Sequence, residues 1–403
     1  MNMRFEIIVS LFATMIISAV LTPFVRRFAF LIGAVDEPSA RRVNKVPMPT
    51  MGGLAIFIAY NFTMFVLMRN QIPTAPDKLF QFWGMFAGQC IIIITGMIDD
   101  VVELKPYQKM IGILLAAVEV YFLGGVRMTT ITLPFLGILN LGWIGFPVTI
   151  LWIAAITNAI NLLDGLDGLA TGVSIIALFT TGFTGLFFLP STNILVVVMI
   201  FTLVAAEIGF LPYNFFPARI YLGDTGALFI GFMISVFSLS GLKNATFISV
   251  IIPLMILGVP ITDTVYAMLR RRLNNQSISH ADKRHLHHRL MQMGLTHRQT
   301  VLVIYGISLI FSFIALLYPL STIWGSVFLT IGILIGIEIF VEAIGLVGEN
   351  RTPVLNWIRR IVSSNTSQEA SQDFEREHPQ KAPTKNKQEE PLSRVVKNRR
   401  QKK

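Results

Sequence analysis

The sequence predicts an all-α polytopic membrane protein with about eleven transmembrane helices, its N-terminus outside and its C-terminus cytoplasmic. Composition gives the first reason: of 403 residues, 53% are apolar and 14% charged, against about 25% charged in an average soluble domain. Mean hydropathy is +0.65. The apolar residues also recur in runs able to cross a hydrocarbon core of about 30 Å, which takes roughly 20 helical residues. Finally, the basic residues lie mostly on one side of those runs.

The runs fall near residues 5–25, 52–68, 81–98, 109–125, 144–160, 168–189, 193–211, 226–242, 245–268, 300–318 and 321–343. The first is longer than a signal-peptide core and has no convincing cleavage pattern near Ala19, so it reads as a retained span. With the N-terminus outside, the inner connections of the body hold 15 Lys and Arg and the outer ones 5. That is the positive-inside bias. A transmembrane domain, 1–343, is thus followed by a basic tail, 344–403. Residues 351–403 carry 13 Lys and Arg against 6 Asp and Glu, which leaves only +3 of the net +10 for the rest. A nucleic-acid partner has no support. The tail has little to bury and is expected to be disordered, and its basic end suits anionic membrane lipids. Cys90 is the single cysteine, which excludes a disulfide framework and any cysteine-rich metal site.

On this topology Asp36, Asp99, Asp100, Asp164, Asp167, Asp224, Asp263 and Asp282 fall at the inner face, Asp77 outside and Asp373 in the tail. Carboxylates at a bilayer edge are costly to dehydrate and commonly functional. A one-sided ring of them calls for a cation, and oxygen-only ligation favours Mg²⁺, with Mn²⁺ an alternative. Asp99 and Asp100, in GMIDDVVELKPYQKM, point about 100° apart on a helix and are poorly placed to share one task. Lys105, with Lys109 four residues on, offers a cation to a phosphate-bearing substrate. In TNAINLLDGLDGLATG the pairs Asn158/Asn161 and Asp164/Asp167 each share a helical side, and an EF-hand is excluded by spacing. Asp224 sits in GDTG at the mouth of a span, with Asn214 ten residues earlier; no P-loop pattern is present. Five of the six histidines, among them His285, His287 and His288, fall between residues 280 and 297 beside Arg289. Interleaved with cations and lacking HExxH, they suit phosphate better than zinc. Arg41, Arg42 and Lys45 receive phosphate or only fix orientation.

DDVVELKP, NAINLLDGLDGLATG, YNFFPARIYLGDTG and HLHHRL, in this order between apolar spans, resemble the polyprenyl-phosphate N-acetylhexosamine 1-phosphate transferases. The resemblance covers nearly all of residues 1–343, and HLHHR is similar to the TagO-type and WecA-type branch that starts teichoic acid and other surface glycans. It implies transfer of GlcNAc-1-phosphate from UDP-GlcNAc to undecaprenyl phosphate, with Mg²⁺, in a bacterial cytoplasmic membrane. It also implies Asp224 as metal ligand and Asp99 or Asp100 acting on the lipid phosphate. Asn161, Asp164, Asp167 and Asn214 would line the nucleotide-sugar site, with His285, His287, His288 and Arg289 on phosphate or sugar. Asn44 stands where relatives often have His, and Ala227 where many have Ser. Attack by the lipid phosphate, assisted by Asp99, is expected over a phospho-aspartate route. Glu119 and Glu207, inside spans, are what a transporter or flippase would need, but most polar chemistry lies at the inner face rather than the midplane. A homodimer is left open.

Overall fold

The computed structural model describes residues 3–37, 46–133, 137–188, 194–240, 254–273, 285–345 and Asn356. Residues 1–351 form one compact unit. Its helices are α1 (Met3–Ile32), α2 (Gly53–Phe62, continued by a π-helical turn Thr63–Leu67), α3 (Pro76–Val102), α4 (Pro106–Phe122), α5 (Gly145–Leu163), α6 (Leu169–Phe187), α7 (Ile194–Asn214), α8 (Gly223–Ser240), α9 (Gly258–Leu273), α10 (Leu286–Gln292), α11 (His297–Leu317) and α12 (Ile323–Ile344). The boundaries follow local chemistry. Pro76 and Pro106 open α3 and α4 where a missing N–H costs nothing. Thr296 and Gln299 form a capping box on α11, and Gly345 closes α12 at φ 69°.

Eight helices among the described residues are long and apolar enough to cross a membrane, so the chain is a multi-pass membrane protein. The second expected span is the shorter Gly53–Leu67, and the fourth is the 17-residue α4. The ninth lies partly outside the described residues, as do Arg41, Arg42, Asn44, Lys45, Asp282 and, apart from Asn356, the tail beyond residue 345. The all-α expectation needs one correction. Two antiparallel hairpins are present, β1 (Val35–Asp36) with β2 (Met48–Pro49) and β3 (Thr130–Leu133) with β4 (Gly137–Asn140). The second draws on β-branched residues in a stretch too short for a span.

Packing inverts the soluble pattern. On α1, Ser10, Thr14, Ser18 and Thr22 recur every fourth residue and are buried, while Phe5, Ile8, Phe12, Ile16, Val20 and Phe24 are exposed. Small polar side chains let helices approach closely in a medium as apolar as leucine, and Thr14 Oγ1 meets Thr63 Oγ1 at 2.7 Å. Helix α8 is the centre: 83% of its most apolar window is buried, against 22% for α1 and for α12. It packs on α2, α3, α5 and α6, and its N-terminus is met by glycines. A methyl on Gly53 would collide with Gly226, and one on Gly96 would press on the Asp224–Thr225 backbone.

Gly53→Ala is therefore expected to destabilise the protein by about 1–3 kcal/mol or more. Gly332→Ala on α12, where a methyl meets nothing within 4 Å, is expected to leave stability unchanged. Thermal unfolding of the two variants in detergent checks both.

Candidate active site

The C-terminus of α3 and the N-terminus of α8 meet through Asp100. Its Oδ1 accepts the Asp224 backbone N–H at 2.9 Å, and its Oδ2 accepts the Thr225 N–H at 3.0 Å and the Thr225 hydroxyl at 2.6 Å. The first N–H groups of a helix have no intrahelical partners, so a carboxylate from α3 caps α8 and complements its dipole. Asp99 points elsewhere. It is 5% exposed, its Oδ1 accepts the Leu104 N–H at 2.7 Å, and its Oδ2 lies 2.5 Å from Lys109 Nζ. Lys109 also donates to Asp224 Oδ1 at 2.8 Å, and Asn161 Nδ2 donates to the same oxygen. One ammonium thus joins two carboxylates carried by α3 and α8.

Asp99, Asp100, Leu104, Asn161 and Asp224 line a cavity of ≈ 560 Å³ with Asp36, Thr50, Asp164, Asp167, Asn214, His287, His288 and His297. The DGLDG turn supplies its acidic floor. Asp164 ends α5, and Gly168, at φ 75°, starts α6 with its carbonyl accepting the Tyr305 hydroxyl at 2.5 Å. Asp167 Oδ2 accepts the Ala218 N–H at 2.9 Å, while its own N–H donates to His297 Nε2 at 3.0 Å. Phe216 stacks on His297 with ring centres 4.6 Å apart. Asn214, 2% exposed, accepts from Thr171 at 2.8 Å and donates to the Ile220 carbonyl at 3.2 Å, which fastens the segment leading to GDTG.

Two acceptors stay open. Asp164 and Asp224 Oδ2 accept no hydrogen bond among the described residues. Burial, then the charges of Asp224, Asp100 and Asp167, push the Asp164 pKa well above the usual carboxylate range. No three His, Cys, Asp or Glu side chains among the described residues form a ready-made cage. Asp164 and Asp224 are the carboxylates with open oxygens that could hold a cation there.

His287 and His288 of α10 also line the cavity. His287 is 3% exposed, its Nδ1 has no partner, and its ring rests on Gly165 where a methyl would collide. Burial, then His288, pushes its pKa down to about 3, so it meets the cavity as a neutral imidazole. Not every candidate read from the sequence reaches the cavity. His285 lies against Asp263, and Arg289 donates to the Ile344 carbonyl at 3.2 Å and to Gln292 at 3.1 Å. Asn158 is half-buried outside the lining, and Lys105 is exposed at the cap of α4. Lys109, one turn on, instead bridges two residues of the lining, Asp99 and Asp224. His297, read only as one of the histidine group, lines the cavity too.

A raised Asp164 pKa has a stability consequence. The folded protein then binds a proton that the unfolded chain releases at lower pH, so stability rises as pH falls from the raised pKa towards the ordinary one. Asp164→Asn is expected to raise the melting temperature of substrate-free protein at neutral pH, with a gain that shrinks on acidification. Melting curves across pH test this.

Residues 82–242 match the sequence model of glycosyl transferase family 4. The chain is 43% identical to a probable undecaprenyl-phosphate N-acetylglucosaminyl 1-phosphate transferase of Bacillus subtilis (strain 168), over 89% of this chain and 98% of that protein. It is 34% identical to a decaprenyl-phosphate N-acetylglucosaminephosphotransferase of Mycolicibacterium smegmatis, over 72% of this chain and 76% of that one. It is 29% identical to a phospho-N-acetylmuramoyl-pentapeptide-transferase of Clostridium perfringens, over 77% and 94%. With that family match, and 43% identity across nearly the whole length of a relative, the chain belongs to glycosyl transferase family 4.

Proposed function

We propose that the protein transfers N-acetylglucosamine 1-phosphate from UDP-GlcNAc to undecaprenyl phosphate, giving undecaprenyl-diphosphate-GlcNAc and UMP. The product would be the lipid-linked start of a cell-surface glycan such as teichoic acid. The observation that carries this reading is the Asp99–Lys109–Asp224 ion bridge beside the open acceptors of Asp164 and Asp224. Phosphoryl transfer needs little covalent help from a protein; it needs positioning and neutralisation of charge. The names of the relatives support the donor and acceptor classes.

In this reading Lys109 draws the lipid phosphate to the end of α3. Asp99 orients the ammonium and takes up the proton when the phosphate arrives singly ionised. A lipid phosphate oxygen then attacks the β-phosphorus of the donor. The new P–O bond forms as the bond to the bridging oxygen breaks, and the electron pair leaves on UMP. Asp224 and Asp164 would hold Mg²⁺ or Mn²⁺, whose charge offsets that building on the diphosphate. Asn161 keeps Asp224 in place, Asp167 and Asn214 hold the loops around the nucleotide, and His287 and His288 offer imidazole to the sugar phosphate. Asp100 serves the site by fixing α8.

The reading further includes eleven crossings with the N-terminus outside, so that this cavity faces the cytoplasm, where UDP-sugars are made. A transmembrane domain of residues 1–343 and a basic cytoplasmic tail of 344–403 complete it. The one-sided basic residues support that orientation.

The test is UMP release by purified protein in detergent with UDP-GlcNAc, undecaprenyl phosphate and Mg²⁺. Turnover is expected to need all three and to vanish in Asp224→Asn. No UMP from folded wild-type protein would overturn the proposal. Lys109→Ala is expected to lower kcat/KM by about 10²-fold or more, whereas Lys105→Ala should stay close to wild type.

A further inference from the structure

A carboxylate outside the cavity controls one of its walls. Asp263 lies in α9, is 3% exposed and does not line the cavity. Its Oδ1 accepts the Leu286 backbone N–H at 2.8 Å, and its Oδ2 faces Nδ1 of His285 at 3.0 Å. Leu286 is the first residue of α10. His285 precedes it in extended backbone, at φ −64° and ψ 160°, and gives no side-chain cap to its own helix. A carboxylate from another helix therefore fills the place that a local Ser or Asp ordinarily takes.

Helix α10 has 7 residues, too few to persist on helix propensity alone, since isolated helices below roughly 12–15 residues are marginal. Its position depends on anchors. Leu286 and Leu290 are buried with Val301, Ile304 and Val341, and Arg289 reaches the end of α12. At the start of the helix the anchor is Asp263. The His285 and His287 rings are parallel within 4° at 6.1 Å, and His287 meets His288 at 4.2 Å. Fixing the His285 ring fixes the surface along which His287 lies.

We propose that Asp263 is a positioning residue for the reaction: through His285 and the first turn of α10 it holds His287 and His288 in the cavity wall without touching substrate. The proposal rests on the cavity being the sugar-phosphate transfer site. An ordinary packing anchor would show the same burial, so the test must separate the two.

Hydrogen–deuterium exchange on the intact protein in detergent forms one arm. Asp263→Ala is expected to speed amide exchange over residues 285–293 on the order of tenfold while α3 and α8 keep wild-type exchange. The other arm is a double-mutant cycle read as kcat and KM. Asp263→Ala should lower kcat/KM by about 10²-fold, with no further loss in a His287→Ala/His288→Ala background, and Asp263→Asn, which keeps an acceptor for Leu286, should recover part of the loss. Unchanged exchange at 285–293, or a loss fully additive with that of the two histidines, would overturn the proposal. Should Asp263→Ala not yield folded protein, His285→Ala cuts the same relay one step later and is read by the same criteria. Wild-type protein without turnover would instead remove the transferase reading, and the exchange arm would still decide whether Asp263 holds α10.

Discussion

The bond on which the site depends joins Asp100 to the first turn of α8. It accepts two backbone N–H groups and the Thr225 hydroxyl, and so satisfies the N-terminus of the most enclosed helix in the protein. Intramolecular hydrogen bonds contribute about 0.5–1.5 kcal/mol each, and these also set register. With α3 and α8 locked, Asp224 projects beside Asp99, close enough for one ammonium, Lys109, to reach both. The glycine contacts at Gly53, Gly96 and Gly226 permit the same approach from the backbone side. Charge and close packing act at one point.

Around that point the protein accepts electrostatic cost. Asp99, Asp100, Asp164, Asp167 and Asp224 share the cavity with Asp36 and Glu103, and burial and then the crowding push the Asp164 pKa well above the usual range. Such crowding works against the fold and favours whatever brings positive charge. The neutral His287 contributes none. Lys109 supplies part of the compensation, and a divalent cation with the substrate diphosphate would supply the rest. In the proposed reading, such a cavity would take donor and metal together more readily than either alone.

Much of this was legible in the sequence because charge is rare in so apolar a chain. Asp99, Asp164, Asp167, Asp224, His287 and His288 stand out as polar groups at span ends, and all reach one cavity. Their angular offset predicted that Asp99 and Asp100 would diverge, and they do. What could not be read was which partner each finds. Lys105 and Lys109 are equivalent by helical spacing, but Pro106 begins the helix, leaving Lys105 at its cap and turning Lys109 inward. Asp263 and His285 are visible as polar residues, yet their contact joins two helices across 22 positions, and no local pattern encodes it. The strands are only 2 to 4 residues long, at or below the shortest run over which alternation can be recognised.

In the proposed reading Asp224 and Asp164 form the cation site of a phosphoryl-transfer cavity. Electron paramagnetic resonance of Mn²⁺ bound to purified protein in the presence of UDP-GlcNAc tests it directly, independent of turnover. A protein-bound Mn²⁺ signal is expected that needs the donor and is lost in Asp224→Asn and weakened in Asp164→Asn. Mn²⁺ binding of equal strength in wild type and Asp224→Asn would contradict it.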